Sequence, residues 1–171
     1  MLKRCELLVC PPALHIGAVR HACYGFAKLK FGAQDCARFE DGAYTGDLSA
    51  KMLKDSGCSY VIVGHSERRE YHGLQDAQVA EKAAQALAHD IVPIICVGER
   101  EEERDAGNEE AVVGAQLKGS IPKLDQFDEI VIAYEPVWAI GTGKTASVDD
   151  VATMHGFIRE RLGDHVRDAD K

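Results

Sequence analysis

The chain has 171 residues, of which 46% are hydrophobic and 28% charged, and its formal net charge is −8. This length suits a single globular domain, and the negative charge argues against nucleic acids and anionic membranes, because both bind clustered lysine and arginine. The charge does not exclude a small anionic substrate, which needs only a few local N–H donors.

Short apolar segments alternate with amphipathic segments along the chain. The apolar or β-branched segments predict five strands: Glu6–Cys10, Leu29–Gln34, Tyr60–Gly64, Ile91–Gly98 and Glu129–Tyr134. The amphipathic segments predict five helices: Ala13–Cys23, Leu48–Ser56, Asp76–His89, Glu109–Lys118 and Val148–Leu162. Because each strand is followed by a helix, we expect one α/β domain over residues 1–171, with a parallel sheet covered on both faces.

No segment has the pattern of a membrane span, a leader or a metal site. The longest apolar run, Ile91–Val97, is too short to cross a bilayer, and no apolar segment follows Lys3 and Arg4 as it would in a signal peptide. The six cysteines and seven histidines are scattered without metal-ligand spacing. We therefore expect a cytoplasmic protein with reduced thiols and no bound metal.

Three polar side chains follow predicted strands directly: His65, Glu99 and Glu135. The carboxyl ends of parallel strands meet at one edge of a sheet, so we expect a site there. His65 precedes Ser66–Glu70, which has the composition of the first turn of a helix. At such a position the neutral imidazole is favoured and can donate a hydrogen bond to a carbonyl oxygen. Glu135 is a candidate general base. A lone histidine at this place is more often a helix cap or a core residue, and the nearby carboxylate is what favours catalysis.

The segment that follows Glu135 has the composition of a movable lid. Pro136 fixes the backbone at its beginning, whereas Gly141 and Gly143 free the backbone near its end. A stiff loop between two flexible ends is typical of an enzyme's lid. The pattern therefore predicts a movable lid that begins directly after Glu135.

The same segment contains part of a nucleotide-binding signature. Gly143, Lys144 and Thr145 match the end of a P-loop, which also needs a glycine five positions before the second glycine. Trp138 occupies that position. We therefore rank a P-loop nucleotide hydrolase last among the possible functions.

Two motifs resemble the triosephosphate isomerase family: Val63-Gly-His-Ser-Glu-Arg-Arg69 and Ala133-Tyr-Glu-Pro-Val-Trp-Ala-Ile-Gly-Thr-Gly-Lys144. The segment Gly42–Asp47 resembles the family's dimerisation loop, and Ile95–Glu99 resembles its fifth strand. These motifs occur in the family's order, and the similarity covers the whole chain. The resemblance implies a (β/α)8 TIM-barrel fold, here an incomplete barrel of about five parallel strands with flanking helices.

The resemblance also implies a reaction. The family interconverts dihydroxyacetone phosphate and glyceraldehyde 3-phosphate, in glycolysis and gluconeogenesis, by proton transfer through an enediolate. It uses no cofactor and no metal. By this resemblance Glu135 would be the base, and His65 would be the neutral electrophile that polarises the carbonyl.

Further residues take their roles from the resemblance alone. Ser66, Glu67 and Cys96 would support the catalytic pair, although Glu67 could equally be a solvated acid and Cys96 a buried thiol. Thr45 would reach the partner subunit's site in a homodimer, or be an ordinary turn residue. The residues of the lid and the phosphate site would be Pro136, Val137, Trp138, Ala139, Ile140, Gly141, Thr142, Gly143 and Lys144, with the Gly141 N–H holding the substrate phosphate.

The chain differs from the family's pattern at both ends. It begins at Met1, just before the apparent second strand, so the first strand's Asn and Lys are absent; it ends at Lys171, before the seventh strand and the Gly-Gly phosphate loop. We expect the central part of such an isomerase, from a partial sequence or a truncated product. Because the absent Lys would stabilise the developing oxyanion, the alternative is an inactive fragment that acts at most as an interaction module.

Overall fold

Five strands form one parallel sheet in the order β1-β2-β3-β4-β5. The structure, a computed structural model, describes residues 5–125, 128–163 and 165, so the predicted domain's ends, Met1 and Lys171, lie outside the described residues. The strands are β1 (Leu7–Val9), β2 (Leu29–Ala33), β3 (Tyr60–Val63), β4 (Val92–Val97) and β5 (Val131–Tyr134). All five predicted strands are present, each slightly shorter than predicted.

Helices follow the strands, as the alternating pattern predicted. They are α1 (Ile16–Ala22), α2 (Ala50–Asp55), α3 (Ser66–His72), α4 (Asp76–Ala88), α5 (Glu101–Asp105), α6 (Glu109–Ser120) and α7 (Val148–Leu162). Of the predicted helices, the first was wrong at its beginning, because Ala13–His15 forms a separate 3-10 turn before α1. The short helix α5 was not predicted.

The main core lies between one face of the sheet and helices α4, α6 and α7. Alternate residues of β3 and β4 are buried on this face, as a period of two requires. The helices contribute buried side chains at a spacing of three or four residues: Val79, Ala83, Ala86, Val113, Leu117, Met154 and Ile158. Burying each larger aliphatic side chain contributes about 1.5–3 kcal/mol, so this layer fixes the positions of the strand ends.

The register of the central strands determines which residues meet at the carboxyl edge. Val63 of β3 pairs with Ile95 of β4, and Val97 of β4 pairs with Tyr134 of β5. The residues that follow these strands therefore lie at one edge of the sheet. The described sheet is open, because β1 and β5 each pair on one side only, and Leu7 and Val131 are exposed at its two margins.

None of the helices in the described part of the chain has both the length and the hydropathy of a membrane span.

Candidate active site

His65 and Glu135 lie in contact at the carboxyl edge of the sheet. His65 follows β3 and Glu135 follows β5, on either side of β4. The His65 Nε2 atom is 2.9 Å from Glu135 Oε1, and the two side chains are 36% and 15% exposed. The structure thus brings together the two residues that the sequence predicted as base and electrophile.

The hydrogen bonds of His65 determine its tautomer. His65 is the N-cap residue of α3, and its Nδ1 atom accepts a hydrogen bond from the Glu67 backbone N–H at 3.3 Å. Because Nδ1 lies in the position of an acceptor, Nε2 is the ring nitrogen that faces Glu135 as a donor. Nε2–H therefore donates to Glu135 here, and it could donate to a carbonyl oxygen in a substrate complex.

Ser66 provides two more donors for the Glu135 carboxylate. The Ser66 backbone N–H donates to Oε2 at 3.0 Å, and the Ser66 hydroxyl donates to Oε1 at 2.7 Å. With His65, three donors hold the carboxylate against the beginning of α3. This is a resting position, because a base must leave some of these donors to reach a substrate carbon. The Glu67 side chain is 70% exposed, and its carboxylate is 3.7 Å from His65 Nδ1.

Gly98 allows β5 to approach the end of β4. A Cβ atom at position 98 would lie 1.7 Å from the Glu135 carbonyl oxygen, so only glycine fits without moving the backbone. Gln116 of α6 holds the same residue from the other side, accepting from the Gly98 N–H at 2.7 Å and donating to its carbonyl at 3.0 Å. The position of Glu135 therefore depends on this backbone contact.

Cys96 lies buried beside Glu135. Burial, reinforced by the negative charge of Glu135, raises the pKa of the Cys96 thiol to about 12. Such a thiol is protonated and unreactive at neutral pH, which agrees with a packing role and assigns it no chemistry.

Arg69 connects the strand ends that carry the site. Its guanidinium donates to the carbonyl oxygens of Gly64 at 2.6 Å and Cys96 at 3.1 Å, and it also contacts Asp76 and Ser120. It therefore joins the ends of β3 and β4 to helices α4 and α6. Sequence reasoning placed Arg69 in a motif without giving it a role, because nothing local shows partners so distant in sequence.

The lid begins with a 3-10 turn at Val137–Ala139, in which Trp138 is buried. Further along, Gly141 and Gly143 have φ values of +69° and +77°, a region that favours glycine, as the lid prediction requires. The Thr142 hydroxyl donates to the Trp138 carbonyl at 2.9 Å and accepts from the Lys144 N–H at 3.2 Å. The lid residues therefore form an ordered loop above the carboxyl edge.

Glu99 anchors the first turn of the lid. Its side chain is fully buried, and Oε1 accepts hydrogen bonds from Trp138 Nε1 at 2.8 Å, from the Tyr134 hydroxyl at 2.9 Å and from Arg104 at 3.2 Å. The sequence placed Glu99 at the carboxyl edge but assigned it no function. The sequence signal that could have identified Glu99 was its position directly after a buried strand.

Thr45 is exposed in the predicted dimerisation loop, Gly42–Asp47. In this loop Tyr44 stacks on Phe39, with ring centroids 4.0 Å apart, and the Asp47 N–H donates to the Tyr44 carbonyl at 3.0 Å. Within the described part of the chain, no hydrogen bond or ion pair joins Thr45 to His65 or Glu135.

Among the residues that the structure describes, no group of three or more His, Cys, Asp or Glu could hold a metal ion.

Comparisons with known proteins place this geometry in a family. The family model described as triosephosphate isomerase matches residues 1–171. The triosephosphate isomerase of Granulibacter bethesdensis is 52% identical over 162 residues, which cover 94% of this chain and 65% of the relative. The triosephosphate isomerase of Acidiphilium cryptum is 54% identical over 164 residues, covering 92% and 64%.

A solved structure agrees with these relatives. The crystal structure of triosephosphate isomerase from Bartonella henselae superposes with a TM-score of 0.83 at 41% identity, over 92% of this chain and 63% of that chain. The fold is therefore that of part of a TIM barrel, with five parallel strands and flanking helices. The chain spans slightly less than two thirds of the length of these matched proteins.

Proposed function

The chain belongs to the triosephosphate isomerase family, and from this we propose that it interconverts dihydroxyacetone phosphate and glyceraldehyde 3-phosphate. The observation that carries the proposal is the contact between His65 Nε2 and Glu135 at the carboxyl edge of the sheet. The proposal treats residues 1–171 as one partial barrel domain, in agreement with the range of the family match.

In the proposed reaction, Glu135 removes a proton from the substrate carbon next to the carbonyl group. The electrons of that C–H bond form an enediolate, and the negative charge develops on the carbonyl oxygen, which accepts the His65 Nε2–H. His65 gives its Nε2 proton to the former carbonyl oxygen and takes the proton of the adjacent hydroxyl group, so that the carbonyl group forms on the other carbon. Glu135 then returns its proton to the carbon that first carried the carbonyl group. This division of roles is the established one for triosephosphate isomerases themselves.

The lid would exclude water during this reaction. Closure over the substrate would protect the enediolate from losing its phosphate and would strengthen the charge interactions inside the site. The Gly141 N–H would hold the substrate phosphate, and the positive φ of Gly141 supports a loop that can present its backbone in this way. Residues 136–146 form the proposed lid.

The proposed partners are a small phosphorylated triose and a second copy of the chain. Neither a cofactor nor a metal takes part, and nucleic acids and membranes are not proposed partners of this acidic, cytoplasmic protein. The exposed loop Gly42–Asp47, with Thr45 at its tip, supports the homodimer. A sedimentation coefficient that stays at the monomer value at every protein concentration would contradict the dimer.

A second candidate function is an inactive interaction module. The observation that favours it is the open sheet, because β1 and β5 each present one unpaired edge in the described part of the chain. Unpaired edges can add a strand from another chain.

The assay that separates the two functions is triose phosphate isomerisation by the 171-residue chain. We expect Glu135→Gln to lower kcat by about 10²–10⁴-fold, the usual contribution of a general base. Glu102→Gln is the matched control, because Glu102 is an exposed acid on α5 that is not among the candidate site residues. Equal trace activities in the parent chain and in Glu135→Gln would overturn the proposed isomerase activity and favour the interaction module.

A further inference from the structure

The side chain of Arg104 contacts groups from three different parts of the chain. It extends from α5, and its guanidinium donates to Glu99 Oε1 at 3.2 Å and to the carboxylate of Asp150. The guanidinium carbon is also 4.7 Å from the centroid of the Trp138 ring. The Arg104 side chain is 27% exposed, so these contacts are partly shielded from water.

Two of these partners stand at opposite ends of the lid. Trp138 belongs to the 3-10 turn that begins the lid, and Asp150 lies in the first turn of α7, which follows the lid. Asp150 Oδ2 accepts from the Ser147 N–H at 2.9 Å and from the Ser147 hydroxyl at 2.7 Å, while its Oδ1 receives Arg104. One guanidinium therefore joins the first turn of the lid to the helix cap that ends it.

The chemistry of arginine suits this bridging position. Its planar guanidinium holds several donors in a fixed arrangement and also stacks on aromatic rings, so it can engage a carboxylate and an indole together. A second pair, Lys144 with Glu101, links the lid to α5, but both of its side chains are about half exposed. Exposed pairs contribute little, so the bridge through Arg104 is the stronger link.

We propose that Arg104 is a positioning residue that couples the two ends of the lid, so that release of one end loosens the other. Helix α5, which carries Arg104, is then the element that holds both ends of the segment. This inference rests on the proposed function only in treating residues 136–146 as a lid over a substrate. The coupling through Arg104 is a property of the folded chain, whether or not the chain catalyses the reaction.

Trp138 provides a direct test, because it is the single tryptophan of the chain. Quenching of its fluorescence by acrylamide measures how exposed the first end of the lid is. We expect Asp150→Asn, a change at the other end, to raise the quenching constant by about twofold or more, the smallest coupling typical of groups in one network. Ser147→Ala is the control, since it weakens the same helix cap but keeps the Arg104–Asp150 pair; it should leave quenching unchanged.

A double-mutant cycle decides whether Arg104 carries the coupling. Arg104→Met keeps an apolar side chain over the indole but removes the donors, so adding Asp150→Asn to it should change quenching no further. Unchanged quenching in Asp150→Asn, or full additivity in the double variant, would overturn the proposal.

Two controls distinguish a change in quenching caused by lost coupling from one caused by misfolding or by loss of activity. Circular dichroism checks that each variant folds, and if Arg104→Met does not, the comparison of Asp150→Asn with Ser147→Ala still decides. The fluorescence measurement does not require catalytic activity. A chain without isomerase activity would therefore overturn the proposed function, whereas the coupling could still be measured.

Discussion

At the scale of single residues, Glu99 shows how a buried charge organises the site. The carboxylate is fully buried, and one of its oxygens accepts three hydrogen bonds, from Tyr134, Trp138 and Arg104. Burying a charge is costly unless donors compensate it, and removing the charge would leave Asp150 as the remaining carboxylate partner of Arg104. Glu99 therefore contributes to stability through the donors it satisfies.

We predict that Glu99→Gln destabilises the folded chain by about 1–3 kcal/mol, because the new amide group would be buried where no acceptor contacts Oε2. The measurement is urea unfolding followed by Trp138 fluorescence and, independently, by circular dichroism. Glu102→Gln, an exposed change on the same chain segment, should stay within about 0.5 kcal/mol of the parent. Equal unfolding midpoints for the two variants would show that the Glu99 charge is not needed.

Some residues of the site could be predicted from the sequence and others could not. His65 and Glu135 were identifiable because each directly follows a strand, and parallel strands end at a common edge. The roles of Arg69, Glu99 and Arg104 depend on partners up to 51 residues away, as in the bond from Arg69 to Ser120. No local pattern encodes such pairs.

At the scale of secondary-structure elements, the junction of β4 and β5 sets the position of the base. The Glu135 N–H donates to the Val97 carbonyl at 2.8 Å, which extends the pairing of the two strands past the end of β5. Gly98 then lies against the Glu135 carbonyl oxygen, where a side chain has no room. A shift of this junction would move Glu135 away from Ser66 and His65.

We predict that Gly98→Ala destabilises the chain by about 1–3 kcal/mol, because the new methyl group forces the backbone of β5 to move. Gly156→Ala is the contrasting variant, since Gly156 lies inside α7 and an added Cβ would meet nothing within 4 Å. It should stabilise the chain by about 0.5–1 kcal/mol, the usual preference of alanine over glycine in helices. Thermal unfolding measures both, and a neutral Gly98→Ala would contradict the proposed constraint.

The elements themselves were largely predictable, with failures of a consistent kind. All five strands and the long helices α4, α6 and α7 were identified from periodicity. The helix predicted from Ala13 was wrong at its beginning, and α5, with five residues, was missed. Such short segments contain too few turns to show a period, and their beginnings depend on capping contacts such as Glu103 with the Arg100 N–H.

At the scale of the whole molecule, several buried groups have pKa values well above those of the same groups in water. Burial raises the pKa of the Cys36 and Cys96 thiols to about 12, and burial together with the Glu99 hydrogen bond raises the pKa of Tyr134. In the unfolded chain these groups release their protons at lower pH. Their contribution to stability is therefore complete below about pH 8 and is lost as the pH rises towards 12.

We predict that the free energy of unfolding falls steadily as the pH rises from 8 to 10.5, and that Cys96→Ala flattens this fall, because it removes one of the protonated groups. Urea unfolding at a series of pH values measures the slope. Cys5→Ala serves as the control, since Cys5 is exposed and should leave the slope unchanged. The same slope for both variants would contradict the assigned pKa shift.

The overall architecture was predictable as a class. Alternation of strands and helices predicted a parallel sheet, and the sheet order and the family match confirm it. The curvature of the sheet was given only by resemblance, because it depends on strand tilt and stagger and not on local periodicity.

The strand order has a consequence for how the chain acquires this structure. In the described sheet each strand pairs only with strands adjacent to it in sequence, so no pairing skips over another strand. Pairing successive strands closes smaller loops than pairing distant ones would, and so has a lower entropic cost. As the chain leaves the ribosome, each new βα unit can therefore add to a sheet that already exists, and assembly can follow the direction of synthesis.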